Sequence, residues 1–178
     1  GQFIPYLRNK DTRARPWAKP GTENLEHRIG GIEKEDVTGN VNYDPENHHF
    51  MVKTRALKVQ NIANELPPTD VFGEKSGDLL ILSWGGTQGA CRSATEALVN
   101  DGKKVSHIHL RWINPLPNDL GELLIKFKHV LIPEINLGQL IKIIRAEYLI
   151  DAIGLNKVKG KPISSAEIQD NVKKILEK

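Results

Sequence analysis

Cysteine is almost missing from this chain of 178 residues, because Cys91 is the only one. A single thiol excludes a disulfide framework within the chain. It also excludes a zinc site built on cysteines and an iron–sulfur cluster held by this chain alone. The shortage of cysteine fits a reducing compartment, and we therefore expect a cytoplasmic protein.

Long apolar runs and an excess of charge of one sign are missing as well. No stretch approaches the roughly 20 apolar residues of a membrane-spanning helix, and residues 1–5 do not resemble a signal peptide. The net charge is only +3, so nothing favours binding to nucleic acid or to an anionic membrane. Because the chain begins at Gly1, without methionine and within an extended segment, we expect a piece of a longer polypeptide.

Residues 78–100 form the stretch around which the rest is organised. The run 79–82 is apolar at every position, which predicts a short strand buried on both faces. Residues 90–100 are rich in helix formers and predict a helix. Between strand and helix lies a glycine-rich turn, Gly85-Gly86-Thr87-Gln88-Gly89. Strand, turn and helix in this order open a parallel α/β sheet, in which ligands meet the carboxyl ends of the strands.

Strands and helices continue to alternate up to the end of the chain. We predict further strands at 70–73, 105–110, 130–133 and 154–158. We predict helices at 118–127 and 138–151, and a closing helix that begins with a capping box of Ser164 and Glu167. This alternation predicts an α/β fold with three layers, α/β/α, around a largely parallel sheet of five strands.

Residues 1–75 differ in composition from the rest, since they hold six of the ten prolines and show no sustained period before Phe50. A structureless stretch of that length is improbable inside a compact domain, so we predict an extended arm lying on a neighbouring domain or subunit. One amphipathic helix is predicted within it, at 49–66. Side chains that typically anchor interfaces punctuate the arm: Tyr6, Arg13, Arg15, Trp17, Arg28 and Tyr43. The predicted division is an interface arm at 1–75 and an α/β domain at 76–178.

The glycine turn is the first candidate site, because backbone amides at a helix N-terminus attract anions. It fails the dinucleotide fingerprint, since Trp84 stands where the first glycine should be and no acidic residue follows the second strand. That strand ends in Arg111, which could meet a 2′-phosphate, so a free-standing NADP-binding domain is an alternative. The glycines could also serve only a tight turn and close helix packing.

Histidine and cysteine offer weaker candidates. His107 and His109 lie two apart on a predicted strand, so their rings share a face and could bind a metal, although no third ligand has an obvious place. His48-His49, with Asp44 and Glu46 nearby, are a weaker version of the same idea, because adjacent histidines on an arm are more often solvated. Cys91 lies just inside a helix N-terminus, where the pKa of a thiol tends to fall, but no partner is positioned to use it. We predict a small buried residue there.

Polar side chains also follow the strand at 130–133, at its carboxyl end. Glu134, Asn136 and Gln139 surround the predicted start of a helix. Asn136 can act as the N-cap of that helix, which leaves Glu134 and Gln139 free to face whatever docks at this edge. The candidates for a ligand-facing or interface-facing surface are therefore Gly85, Gly86, Thr87, Gln88, Gly89, Arg111, Glu134, Asn136 and Gln139.

Several motifs occur in an order that resembles one known family. They include Arg15-Pro16, Pro20-Gly21-Thr22, His27-Arg28-Ile29-Gly30-Gly31-Ile32-Glu33, Ser83-Trp84-Gly85, Pro115-Leu116-Pro117, Glu134-Ile135-Asn136-Leu137-Gly138-Gln139-Leu140 and Gly160-Lys161-Pro162-Ile163. Over nearly its whole length the chain resembles the carboxyl-terminal part of the alpha subunit of 2-oxoacid:ferredoxin oxidoreductases, above all those of the 2-oxoglutarate type.

The resemblance implies a domain similar to the carboxyl-terminal domain of transketolase, with residues 70–73 as an antiparallel edge strand. It implies assembly with a beta subunit and with upstream domains of the same chain. Such an assembly oxidatively decarboxylates a 2-oxoacid with coenzyme A and passes electrons to ferredoxin.

Thiamine diphosphate, magnesium and an iron–sulfur cluster carry the chemistry of this family. This chain has neither the Gly-Asp-Gly…Asn thiamine motif nor the cysteines for a cluster, features that belong to the beta subunit in this family. We therefore expect no catalytic residue and no cofactor in this chain. By itself it would be inactive, with an architectural role in the assembly.

Overall fold

A computed structural model describes residues 2–177, which fall into two units, Gly1–Leu66 and Pro67–Lys178. The division between the units lies between Leu66 and Pro67, before the edge strand Val71–Phe72. Composition alone places the division later, at position 75. The physical reason is strand pairing, since Val71 and Phe72 pair with a strand of the second unit.

The first unit contains one α-helix within its described residues, α1 (Pro45–Gln60), which continues into a 3₁₀ turn. The helix begins at Pro45 rather than at 49, because the Asp44 side chain accepts a hydrogen bond from the backbone N–H of Glu46. Proline also suits a first helical position. His48 and His49 consequently lie in a helix and not in an extended arm.

The second unit contains a sheet of five strands. These are β1 (Val71–Phe72), β2 (Gly77–Trp84), β3 (Val105–Leu110), β4 (Phe127–Glu134) and β5 (Ile153–Asn156). Their order across the sheet is β1-β3-β2-β4-β5, and β1 alone runs antiparallel to its neighbour. The prediction of a mostly parallel five-stranded sheet with one antiparallel edge strand is confirmed.

Four helices cover the two faces of this sheet, which makes three layers. The helices are α2 (Gln88–Asn100), α3 (Leu120–Leu124), α4 (Leu140–Tyr148) and α5 (Ser165–Leu176). One apolar cluster joins α2 and α5 to the sheet, and the other joins α3 and α4 to it. The helix that follows β2 and the helix that follows β4 therefore lie on opposite faces, as right-handed crossovers to opposite sides of a sheet require.

The strand β2 supplies both clusters with alternate residues. Leu80 and Leu82 join the cluster under α3 and α4, whereas Leu79 and Ile81 join the cluster under α2 and α5. All four side chains are fully buried. This is why the run is apolar at every position, since a strand between two helical layers has no solvated face.

Some predicted boundaries are wrong in detail. The helix predicted at 118–127 is only Leu120–Leu124, because the next strand already starts at Phe127. The helix predicted at 138–151 ends at Tyr148, since Leu149 adopts a left-handed conformation with φ of 54°. The capping box of Ser164 and Glu167 is confirmed. No helix between residues 2 and 177 is long and apolar enough to cross a bilayer.

Candidate functional site

The carboxyl ends of β2, β3 and β4 lie along one edge of the sheet, because the three strands are parallel. This edge carries the glycine turn after β2, Arg111 after β3 and residues 134–139 at the end of β4. Gln88, Gly89 and Arg111 line one cavity, whereas neither Glu134 nor Gln139 lines it. The edge therefore presents two separate surfaces.

Only part of the glycine turn needs glycine. Gly85 has φ of +57°, a left-handed conformation that a side chain would strain. A Cβ atom added at Gly86 or Gly89 would meet no atom within 4 Å, so close helix packing does not explain these two glycines. The Thr87 side chain is buried, and its hydroxyl donates a hydrogen bond of 2.8 Å to the Trp84 carbonyl, which closes the turn.

The crevice between β2 and β4 is where the following helices depart to opposite faces of the sheet. Ligands of doubly wound sheets commonly bind at such a position. Here the Trp84 indole Nε1 donates a hydrogen bond of 3.2 Å to Glu134 Oε1, which bridges the two strand ends. A dinucleotide would have to displace this bridge, so the geometry does not favour the NADP-binding alternative.

Glu134 is not free to face a docking partner, which corrects the expectation from the sequence. The residue is only 1% exposed. Its carboxylate accepts hydrogen bonds from the backbone N–H groups of Leu140 (2.8 Å) and Ile141 (3.2 Å), besides the bond from Trp84. A carboxylate there satisfies first-turn N–H groups that have no partner inside the helix, and it complements the positive end of the helix dipole.

Asn136 closes the turn that leads into α4 and is not the N-cap itself, a position that Gln139 occupies. The Asn136 Oδ1 atom accepts from the backbone N–H groups of Gly138 (2.8 Å) and Gln139 (2.9 Å). The Gln139 side chain is exposed. What this loop presents besides Gln139 is apolar, because Ile135 is 52% and Leu137 82% exposed. The sequence offered only a weak signal, since Ile135 stands between Glu134 and Asn136, and Leu137 between Asn136 and Gly138.

The other surface is a cavity of about 270 Å³ at the carboxyl ends of β2 and β3. Its lining includes two guanidinium and two imidazole groups together with the start of α2: Arg92, Arg111, His107, His109, Gln88 and Gly89. Arg92 was not among the candidates from the sequence. Its place on α2 opposite β3 depends on tertiary packing, which no local pattern encodes.

Ser83 joins the two histidines under this cavity. Its Oγ atom lies 2.7 Å from His107 Nε2 and 2.8 Å from His109 Nδ1. Burial is the main cause that lowers the pKa of His107 to about 4, and burial also lowers the pKa of His109. Both rings are therefore neutral at pH 7. One nitrogen of each ring is taken by Ser83, which leaves the metal hypothesis without support.

Cys91 lies beneath the same region and is fully buried. Burial raises the pKa of its thiol to about 11, against the lowering that a helix N-terminus would produce. The prediction of a small buried residue is confirmed.

The fold and this edge define a three-layer α/β/α domain, and comparison with known proteins gives its family. No family model matches the chain. It is 42% identical over 167 residues to 2-oxoglutarate oxidoreductase subunit KorA of Mycobacterium tuberculosis, a match that covers 93% of this chain and 25% of that protein. It is 28% identical over 169 residues to 2-oxoacid:ferredoxin oxidoreductase subunit alpha of Saccharolobus solfataricus, covering 92% of this chain and 26% of that protein.

Among solved structures, the chain is similar to 2-oxoglutarate:ferredoxin oxidoreductase from Magnetococcus marinus with 2-oxoglutarate, coenzyme A and succinyl-CoA bound. The TM-score is 0.88 at 33% identity, over 98% of this chain and 31% of that one. The chain belongs to the family of 2-oxoacid:ferredoxin oxidoreductase alpha subunits, and the resemblance seen in the sequence is confirmed. It spans about a quarter of the length of the curated relatives.

The donor groups of the chain do not fit an iron–sulfur cluster. Between residues 2 and 177 there is no group of three or more His, Cys, Asp or Glu side chains that could hold a metal ion. The single thiol is buried, and the burial holds it protonated. An iron–sulfur cluster therefore finds no set of cysteine ligands among the described residues.

Proposed function

We propose that this chain is a segment of the alpha subunit of a 2-oxoglutarate:ferredoxin oxidoreductase. In that reaction the bond between the carboxylate and the keto carbon breaks and CO2 leaves. The acyl group joins the thiol of coenzyme A, and the electrons released pass to ferredoxin. The observation that carries the proposal is the TM-score of 0.88 over 98% of the chain to an enzyme solved with 2-oxoglutarate and succinyl-CoA.

Within that assembly the segment has an architectural role. Thiamine diphosphate, magnesium and the iron–sulfur cluster would be held by the beta subunit. The single buried thiol, and the lack of any group of three or more metal-ligating side chains between residues 2 and 177, support this division of labour. We place the assembly in the cytoplasm, where a chain with one buried thiol and no disulfide is stable.

The loop at 135–139 and the glycine turn would face the assembly, together with the arm. The buried Glu134 carboxylate and the Asn136 turn fix the loop backbone, so Leu137 points outward from a rigid support. In the first unit Trp17 is 92% and Tyr43 85% exposed, and large exposed side chains of this kind typically mark interfaces.

Co-expression of the complete alpha and beta subunits tests the function and the docking loop together. We expect ferredoxin reduction that requires both 2-oxoglutarate and coenzyme A. Absence of that requirement in the purified assembly would contradict the proposed function.

The docking loop is tested with Leu137→Asp, and its matched control is Leu149→Asp. Leu149 is 89% exposed but lies at the far end of α4, where its left-handed backbone tolerates aspartate. We expect Leu137→Asp to reduce recovery of the beta subunit with a tagged alpha subunit by about tenfold, since a charge is buried unpaired at the interface. Equal recovery with both variants would contradict the docking role.

A further inference from the structure

We propose that the cavity at the carboxyl ends of β2 and β3 binds a compact oxyanion, either a phosphate group or a carboxylate, between Arg92 and Arg111. This is a ligand site in addition to the proposed function, and it does not depend on that function. The volume of about 270 Å³ lies below the roughly 300–1,000 Å³ of usual small-molecule pockets, so it suits a compact group better than a dinucleotide.

Arg111 stands at the mouth of the cavity with its guanidinium uncommitted. It follows directly on the last residue of β3, and its side chain is exposed. Within residues 2–177 it makes no hydrogen bond and no ion pair, although its five N–H donors match the geometry of a carboxylate or phosphate. An arginine in this state can bind an anion without first breaking a contact.

Arg92 faces the cavity from α2 in a fixed orientation. Its Cζ atom lies 3.3 Å from the centroid of the Phe72 ring, and its Nε atom donates a hydrogen bond of 2.8 Å to Glu96. Stacking and the ion pair hold the plane of the guanidinium, while its two Nη groups make no hydrogen bond within the described chain. A preorganised group loses little entropy when it binds a ligand.

The start of α2 adds space and a favourable dipole. Gly89 lines the cavity, and a Cβ atom there would meet nothing within 4 Å. The positive end of the helix dipole lies at this position. Asp70 is the one carboxylate in the lining, and the Glu96 carboxylate binds only the Nε side of Arg92. The donors left for an anion are therefore the Arg111 guanidinium and the Nη groups of Arg92.

The two histidines that Ser83 bridges should make anion binding depend on pH. The Ser83 hydroxyl has one hydrogen and also bonds the Cys91 thiol, so at least one of the two imidazoles donates its N–H to Ser83. The other nitrogen of that imidazole is then an acceptor. Uptake of a proton turns this acceptor into a donor, which is the arrangement an oxyanion requires.

The direction of this pH dependence follows from the groups that face His107. Burial, then His109 on β3 and Arg92 on α2, lower the pKa of His107, and Asp70 beside β1 raises it. An anion in the cavity offsets the arginine charge and raises the pKa of the imidazoles. Oxyanion affinity should therefore increase as the pH falls below 6.5, the ordinary pKa of histidine, because the pKa of both rings lies below that value.

Calorimetric titration of the purified assembly tests the site without turnover. The probes are sulfate, a phosphate mimic whose charge is constant over this pH range, and succinate as the carboxylate. We expect saturable binding that Arg111→Gln weakens by about tenfold, in line with the loss of a charge-assisted bidentate contact. The control is Lys142→Gln, an exposed charge removed from α4 on the opposite face of the sheet.

The outcomes separate the two ligand classes. A loss of sulfate binding alone in Arg111→Gln assigns the site to phosphate groups, and a loss of succinate binding alone assigns it to carboxylates. Unchanged binding of both probes in Arg111→Gln would overturn the proposal. His109→Gln should retain binding at pH 7.5 but lose the gain at lower pH, and a gain that persists would show that the histidines do not cause the pH dependence. Failure of the enzyme assay would leave each of these results intact.

Discussion

The two units of the chain hold their structure by different means. The second unit, Pro67–Lys178, has two apolar clusters on either side of a sheet. The first unit, Gly1–Leu66, buries few side chains among its described residues, and two of these, Lys34 and Thr54, are polar. Lys34 Nζ donates to the backbone carbonyls of Gly30 (2.7 Å) and Ile32, so a cation takes the place of an apolar core.

This difference shows which of the two units is stabilised by contacts within itself. Burial of apolar surface is the main favourable term in folding, and the second unit obtains it internally. The first unit leaves its largest side chains exposed, Trp17 and Tyr43 among them. Its hydrogen bonds and ion pairs each contribute little net free energy in water. The first unit is therefore the one that should depend on a neighbouring surface.

Truncation of the core should show the largest effect. Leu82→Ala removes a fully buried side chain from β2 and should lower the free energy of unfolding of the second unit by about 2–5 kcal/mol. This free energy can be measured by chemical denaturation in which amide exchange reports on each unit separately. Val99→Ala on the exposed side of α2 is the control and should stay within about 0.5 kcal/mol. A similar loss for both variants would mean that the sheet is not the centre of stability.

Loss of the buried carboxylate at β4 should come next. Glu134→Gln should lower the free energy of unfolding by about 2 kcal/mol. One carboxylate oxygen accepts from Trp84 and Leu140 and the other accepts from Ile141, whereas an amide has only one oxygen that can accept. The backbone amides of Leu140 and Ile141 should then exchange faster. Glu147→Gln, at an exposed position of the same helix, is the control. Unchanged exchange at both amides would refute the capping role.

Removal of one helix cap from each unit allows a direct comparison of the two units. Each removal should cost about 1 kcal/mol of helix stability. Ser164→Ala removes the capping box of α5, whose Ile168 and Val172 lie in the core, so the loss should appear in the global unfolding of the second unit. Asp44→Ala removes the cap of α1, which buries only Met51 and Thr54. The loss there should appear as faster amide exchange confined to residues 45–60. Global destabilisation by Asp44→Ala would argue against the contrast between the units.

The smallest effect should be an acid-sensitive contact in the first unit. Hydrogen bonds from Arg55, and then from His48, lower the pKa of Glu33 to about 2 from an ordinary value of 4.5. Because the pKa is lower in the folded state, the contribution is complete above pH 4.5 and is lost as the pH falls towards 2. Arg55→Gln should remove most of this dependence, which amide exchange of the first unit between pH 2 and 6 would reveal. We expect less than about 1 kcal/mol, because the Arg55 side chain is 48% exposed and water screens the ion pair.

Several features could be predicted from the sequence because their causes are local. The apolar run at 79–82 identifies a strand between two helical layers, and Ser164 with Glu167 identifies a helix start. The single cysteine excludes a cluster or a disulfide framework in this chain. The order of motifs along the chain was enough to indicate the family. Boundaries were less certain, as at α3, since helix and strand propensities overlap there.

The tertiary structure alone decided what the candidate residues do. Ser83 meets His107 and His109, 24 and 26 residues away, because the parallel register of β2 and β3 puts Ser83 opposite His109. Glu134 became a helix cap because the chain turns back over it after β4. Alternation along one strand defines which face a side chain occupies, but register and packing define its neighbours. The physical reason is that contacts between distant segments depend on the geometry of the whole sheet, which no local pattern contains.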